Sequence, residues 1–224
     1  MAHRRLMTEI IAIDGPAGSG KSSVSKQVAR ELGFGYLDTG AAYRALAWAV
    51  AQGLVAIETM DAQTRVGLED FDYSISLDPD DFWVRVSGHD VTDAIREPKI
   101  AQSVSTVAQI PEVRGYMKNL TRTLVADSGR PGVVVEGRDI TTVVAPEAKN
   151  RILLTATEEV RLKRRSAELA PEQAKNVERQ VSERDAQDSK VVDFMTPAPG
   201  VTLVDSTELN FEQTVAAVLS VVRA

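Results

Sequence analysis

Ile10-Ile11-Ala12-Ile13-Asp14-Gly15-Pro16-Ala17-Gly18-Ser19-Gly20-Lys21-Ser22 is the stretch on which the fold turns. The apolar run from Ile10 to Ile13, bounded by Asp14-Gly15-Pro16, reads as a short buried strand. After Ser22, apolar residues recur four apart at Val24, Val28 and Leu32, which reads as a helix closed by Gly33. Between the two, Gly15 to Ser22 fits the pattern G-x-x-x-x-G-K-[ST]. Glycines reach backbone angles closed to other residues, so successive N–H groups can turn inward around an anion. The helix that follows aims its positive end at the same point. In this geometry Lys21 reaches the outer phosphates of a nucleoside triphosphate, and the Ser22 hydroxyl serves a magnesium ion. Gly15, Pro16, Ala17, Gly18, Ser19, Gly20, Lys21, Ser22 and Ser23 are therefore the expected triphosphate-binding residues, with Ser22 the expected metal ligand.

Working outward, strands and helices alternate. Gly132 to Glu136, Arg151 to Ala156 and Val201 to Asp205 are further short apolar runs and read as buried strands. Helices are expected over Gly40 to Gln52, Pro98 to Ile110, Pro111 to Ser128 and Phe211 to Val222, the last capped by Asn210 with Gln213 three residues on. Another follows Thr157-Glu158-Glu159 and is rich in arginine. Fully apolar strands alternating with helices imply an α/β fold of three layers, a central parallel sheet with helices on both faces. One segment departs from this rhythm. Phe71, Tyr73, Ile75 and Leu77 alternate with polar residues, Asp78-Pro79-Asp80-Asp81 turns, and Trp83 to Val86 continues, which is the pattern of an antiparallel hairpin. The expected division is a core of 1–61 and 113–224 around a small α+β insertion at 62–112.

Composition narrows the function. Hydrophobic residues are 43% and charged residues 26% of the 224 positions, which is ordinary for a globular protein. There is no cysteine, so disulfides, thiolate metal sites and cysteine nucleophiles are excluded, and the two histidines are too few for a histidine-rich metal site. The net charge of −6 disfavours nucleic acid as a partner but leaves room for a small anion held by a local cluster of cations. No run of about 20 apolar residues is present to span a membrane, and the charged start lacks the pattern of a signal peptide, so the expected setting is the cytoplasm.

The triphosphate could serve a switch, a motor or a kinase. No Asn-Lys-x-Asp stretch is present to read guanine. The apolar run Val133-Val134-Val135 ends in Glu136 but continues Gly137-Arg138-Asp139, and an arginine there suits a second phosphate better than a metal-binding carboxylate. Together with Leu37-Asp38-Thr39-Gly40-Ala41-Ala42-Tyr43-Arg44, Glu136-Gly137-Arg138-Asp139-Ile140, Arg184-Asp185 and Asp188-Ser189, the loop resembles the bacterial cytidylate kinases over nearly the whole chain. The resemblance implies an enzyme that uses ATP and magnesium to phosphorylate CMP or dCMP, and a monomer. It implies that Thr39, Arg44, Ser105, Arg114, Arg138, Asp139, Arg184 and Asp188 bind the monophosphate. It also implies that Lys21, Arg138 and Arg164 act in the transfer, and that Arg161 contacts ATP from a lid at about 157–185. The insertion would help to hold the acceptor. Two plainer readings stand beside these: Arg161, Lys163, Arg164 and Arg165 as a solvated helix face, and Asp139 as a structural partner of an arginine. One departure from the family pattern is Val191, which stands where many members carry an arginine.

Overall fold

The computed structural model describes residues 8–60, 63–168, 186 and 193–224. Its elements in chain order are β1 (Glu9–Asp14), α1 (Lys21–Leu32), β2 (Gly35–Asp38), α2 (Thr39–Ala51), β3 (Ile57–Met60), β4 (Gln63–Val66), β5 (Tyr73–Ile75), β6 (Val84–Val86) and β7 (His89–Asp90). There follow α3 (Pro98–Ala108), α4 (Pro111–Ala126), β8 (Gly132–Gly137), β9 (Asn150–Thr155), α5 (Glu158–Glu168), β10 (Thr202–Asp205) and α6 (Phe211–Arg223).

Five strands make one parallel sheet in the order β10-β9-β1-β8-β2. The sheet is apolar on both sides because helices cover both faces. Along β8 the side chains alternate between them. Val133 and Val135 pack with Leu37 and Leu46, and Val134 packs with Val28, Ile152, Leu154 and Val218. β1 lies at the centre, with Ile11, Ala12 and Ile13 wholly buried, so the loop that leaves it emerges from the most rigid part of the molecule.

The helix ends are shaped by their caps. Gly20 takes φ 84° at the start of α1, and Gly33 takes φ 67° at its end, where its N–H returns to Ala29 and Arg30. Asn210 and Gln213 close a reciprocal capping box on α6, as expected from their spacing.

The hairpin expected from alternation is present as antiparallel β5 and β6, with β7 added beside β6. Its Phe71, Ile75, Val84 and Val86 share one apolar cluster with Leu46 of α2 and Val113 of α4. The insertion is thus packed onto the sheet's helical layer. Two features were not anticipated. β2 has only four residues and starts with glycine, too short a run to show a period. β3 and β4 pair as a second antiparallel hairpin, from Ile57 opposite Val66 to Met60 opposite Gln63.

Candidate active site

Ligands of open parallel sheets bind outside the carboxyl ends of the strands, and here those ends carry the expected residues. The loop between β1 and α1 is held by close main-chain packing. A Cβ on Gly15 would stand 2.1 Å from the Leu154 carbonyl, and one on Gly18, at φ 75°, would stand 2.5 Å from that of Arg161. Glycine is required at both. At Gly20, at φ 84°, the same test meets nothing within 4 Å, so that side of the loop is open. The Lys21 ammonium donates to the Pro16 carbonyl at 3.3 Å, folded back over the loop. Ser19 is buried, and its hydroxyl has no hydrogen-bond partner in the protein. Ser22 stands exposed in the first turn of α1. A loop with glycine at its tight positions, a lysine folded over it and the Ser22 hydroxyl, which also reaches Tyr36, fit a triphosphate with magnesium. Among the described residues no three acidic or histidine side chains cluster as a metal site. Ser22 would therefore share the ion with phosphate oxygens and water, as magnesium commonly requires.

Beside the loop lies a set of arginines, each tied to an oxygen. Arg138 donates to the carbonyl of Gly15, the first residue of the loop, and its guanidinium lies 4.9 Å from the centre of the Phe194 ring. Arg114, from α4, donates to Asp139 at 2.7 Å. Arg44 donates to Asp38 at 2.6 Å across the first turn of α2. Thr39 donates to the main-chain carbonyl of Glu136 at 2.8 Å. Burial raises the Asp139 carboxyl above the usual carboxylate range, and Arg114 offsets only part of that rise. At Asp38 burial also pushes upward, but the Arg44 charge and the hydrogen bonds from Arg44 and Ala41 outweigh it, and the net shift is downward.

Two further groups, both overlooked in the sequence, hold this geometry. Asp14, at the end of β1, is 3% exposed and accepts from the N–H groups of Ile140 and Thr141 and from the Thr141 hydroxyl, at 2.8, 2.8 and 2.6 Å. It pins the turn that follows Arg138 and Asp139. Burial raises its pKa against the lowering effect of those bonds. Tyr36 donates to the Glu136 carboxylate at 2.7 Å inside the sheet's edge. Desolvation, then the charges of Glu136 and Asp38, place this phenol well above its ordinary pKa.

Comparison with known proteins agrees with this arrangement. The family model described as cytidylate kinase matches residues 11–224. The chain belongs to the cytidylate kinase family. A cytidylate kinase of Cutibacterium acnes is 44% identical over 214 residues, covering 95% of this chain and 95% of that one. One of Streptomyces avermitilis is 40% identical over 222 residues, covering 99% and 95%. Among solved structures, a sugar kinase from a Janibacter species aligns with a TM-score of 0.50 at 14% identity, covering 96% of this chain and 95% of that one. At that identity the likeness speaks for the fold alone.

The residues assigned from the cytidylate kinase pattern are brought together unevenly. Thr39, Arg44, Arg114, Arg138 and Asp139 converge at the strand ends of β2 and β8 and the face of α4. Ser105 lies half-buried on α3, which packs against α2. Arg161 is buried, not part of a solvated face, and donates to the Ala17 carbonyl at 2.9 Å. Arg164 donates to the Ser206 hydroxyl at 2.9 Å and to the carbonyls of Ser206 and Leu209 at 2.8 and 3.2 Å, and it approaches the Ser19 carbonyl at 3.4 Å. Both arginines thus stand against the outer wall of the loop, with main-chain oxygens as partners. Arg184, Asp188 and Val191, and the remainder of the expected lid beyond 168, lie outside the described residues. The plain reading of Asp139 also has its counterpart in the structure, since Arg114 is its ion-pair partner.

Proposed function

We propose that this protein transfers the γ-phosphoryl group of ATP to the phosphate of CMP or dCMP, giving ADP and CDP or dCDP. One observation carries the reading. Arg138 grips the first residue of the triphosphate loop, while the next residue, Asp139, pairs with Arg114 of α4 at 2.7 Å. Two anionic ligands would therefore meet end to end.

In this reading Gly15 to Ser23 hold ATP through main-chain amides, with Ser22 on magnesium and Arg161 bracing the loop. Bound magnesium supplies positive charge to the phosphates as the bond shifts. Lys21 and Arg138 face the group in flight, and Arg164, held against the loop by the oxygens of Ser206 and Leu209, would join them by leaving those partners when ATP is bound. Arg44 and Arg138 take the acceptor phosphate. Thr39, Arg114 and Asp139 read cytosine, while Ser105, Arg184 and Asp188 hold the sugar. The segment 62–112 serves the acceptor side, and the segment from 157 to 185 closes as a lid. An acceptor phosphate is already anionic at neutral pH, so alignment and charge carry the reaction without a strong base. Cytosine offers an amino group where uracil offers a carbonyl, so a carboxylate at Asp139 favours the first and repels the second. We infer a monomer acting on small molecules in the cytoplasm. Among the described residues no helix is long and apolar enough to cross a membrane.

The test is ADP release from ATP and magnesium with CMP, dCMP, UMP, AMP and GMP supplied singly. CMP or dCMP should be turned over fastest. Fastest turnover with AMP, or equal ADP release with no acceptor at all, would remove the cytidylate reading.

A further inference from the structure

Asp38 has no role in the roles just assigned, yet it sits in the middle of them. One carboxylate oxygen, Oδ1, caps α2 by accepting from the Ala41 N–H at 3.0 Å. The helix therefore fixes the carboxylate's position. The other oxygen, Oδ2, accepts from Arg44 Nη2 at 2.6 Å. The ion pair is largely withdrawn from water, with the side chains 17% and 15% exposed, and Tyr73 of the inserted sheet lies within electrostatic reach of both charges.

Arg44 is consequently folded back over the first turn of its own helix. Its Nη1 lies 3.1 Å from where a Cβ on Gly40 would stand, so a side chain there would press against the guanidinium. Arg44 Nε is buried and has no hydrogen-bond partner in the protein. A guanidinium has five N–H donors; here one on Nη2 is spent on Asp38, and the buried Nε donor beside it is left for a ligand. The positive end of α2 points at the same place. A guanidinium and a helix N-terminus together suit an oxyanion, and the second observation here is the unsatisfied Nε itself.

We propose that Asp38 is a positioning residue: its carboxylate, locked in place as the cap of α2, holds Arg44 so that the guanidinium's unpartnered Nε donor meets the phosphate of the acceptor. This rests on the reading of Arg44 as a phosphate-binding residue. It predicts an effect confined to ligands that carry the phosphate.

Asp38→Asn is the informative variant. Asparagine caps helices as well as aspartate does, so its one oxygen can keep the bond to Ala41 while the charged grip on Arg44 is lost. KM for CMP should rise about tenfold to a hundredfold, the span expected for a charge-assisted hydrogen bond. KM for ATP should stay within about twofold, and inhibition by cytidine, which lacks the phosphate, should be unchanged. An unchanged KM for CMP would overturn the proposal. So would a lowered one, which would mean that Asp38 competes with the phosphate for Arg44. Equal losses for CMP and cytidine would overturn it too, because they would mark Asp38 as a support for the whole pocket. Circular dichroism and thermal melting establish that the variant is folded, and Asp38→Ser, another capping residue without charge, gives the same comparison if asparagine misfolds. The wild type is assayed first. If it prefers another monophosphate to CMP, the same comparison runs with that compound and its nucleoside, so a failure of the acceptor assignment is read separately from a failure of this one.

Discussion

The two ends of the site are built on different plans. At the proposed triphosphate end, eight consecutive residues from Gly15 to Ser22 would supply nearly everything, chiefly through main-chain amides. Their placement follows from local backbone angles and from the contact of Gly15 and Gly18 with neighbouring carbonyls. At the monophosphate end, the groups are side chains from α2, α4 and the turn after β8, with the insertion packed behind them. Each arginine is held by an oxygen elsewhere in the fold: Arg44 by Asp38, Arg114 by Asp139, Arg138 by Gly15. Main-chain amides survive every substitution except proline and discriminate little between triphosphates. Paired side chains can be tuned one at a time. In the proposed function the loop would therefore supply charge and alignment, while the arginine end would supply selection.

That contrast can be broken most forcefully at the loop. Lys21→Met should lower kcat by about a hundredfold or more, the loss typical when a group stabilising transition-state charge is removed. CMP binding, followed by titration without ATP, should be unaffected. A large loss of CMP affinity would show that the two ends are not separable.

The next effect lies at the other end. Asp139→Ala should reduce the ratio of kcat/KM for CMP over UMP by about tenfold to a hundredfold, because a hydrogen bond to the base is lost. Acidity adds a second readout. The folded pKa of Asp139 is raised, chiefly by burial. The ionised form accepts the cytosine amino group, so affinity is present above that pKa and is lost as pH falls through it. KM for CMP should therefore rise on acidification earlier than an ordinary carboxylate would allow. The difference should vanish in Asp139→Asn, and an identical pH profile in the two proteins would place base reading elsewhere.

The smallest effect is expected where the two ends touch at the surface. Arg30 of α1 meets Asp80 of the insertion at 2.7 Å, but the side chains are 40% and 71% exposed. Screened pairs of this kind contribute about 0–1 kcal/mol. Asp80→Ala should leave both KM values unchanged and shift the thermal midpoint by only a few degrees at most. A marked change in KM for CMP would mean that this contact sets the stance of the insertion.

Much of this was legible before folding. The strand, loop and helix from Ile10 to Leu32 are contiguous, and contiguous patterns can be read. The capping box at Asn210 and the hairpin around Asp78 to Asp81 are local for the same reason. β2 escaped because four residues carry too few side chains to declare a period, and it matters, since it ends at Asp38. Asp14 gave no signal. It is an acid at the end of an apolar run, and its partners at Ile140 and Thr141 lie more than 120 residues away. Arg161 and Arg164 were open to a reading as solvated charge because spacing along a helix does not say which face another loop covers. The packing of α5 against Ala17, Ser19 and Ser206 decides it.

What the sequence determined alone is the cradle for a triphosphate, because its binding groups belong to the backbone and its geometry is set by neighbours in the chain. What only the tertiary structure decided is how the arginines are held: which oxygen steadies each guanidinium, and which donor is left over. Arg114 meets Asp139 across 25 residues and Arg138 meets Gly15 across 123, and the strength of all these contacts, the local Arg44–Asp38 pair included, depends on the water excluded around them, which no linear pattern records.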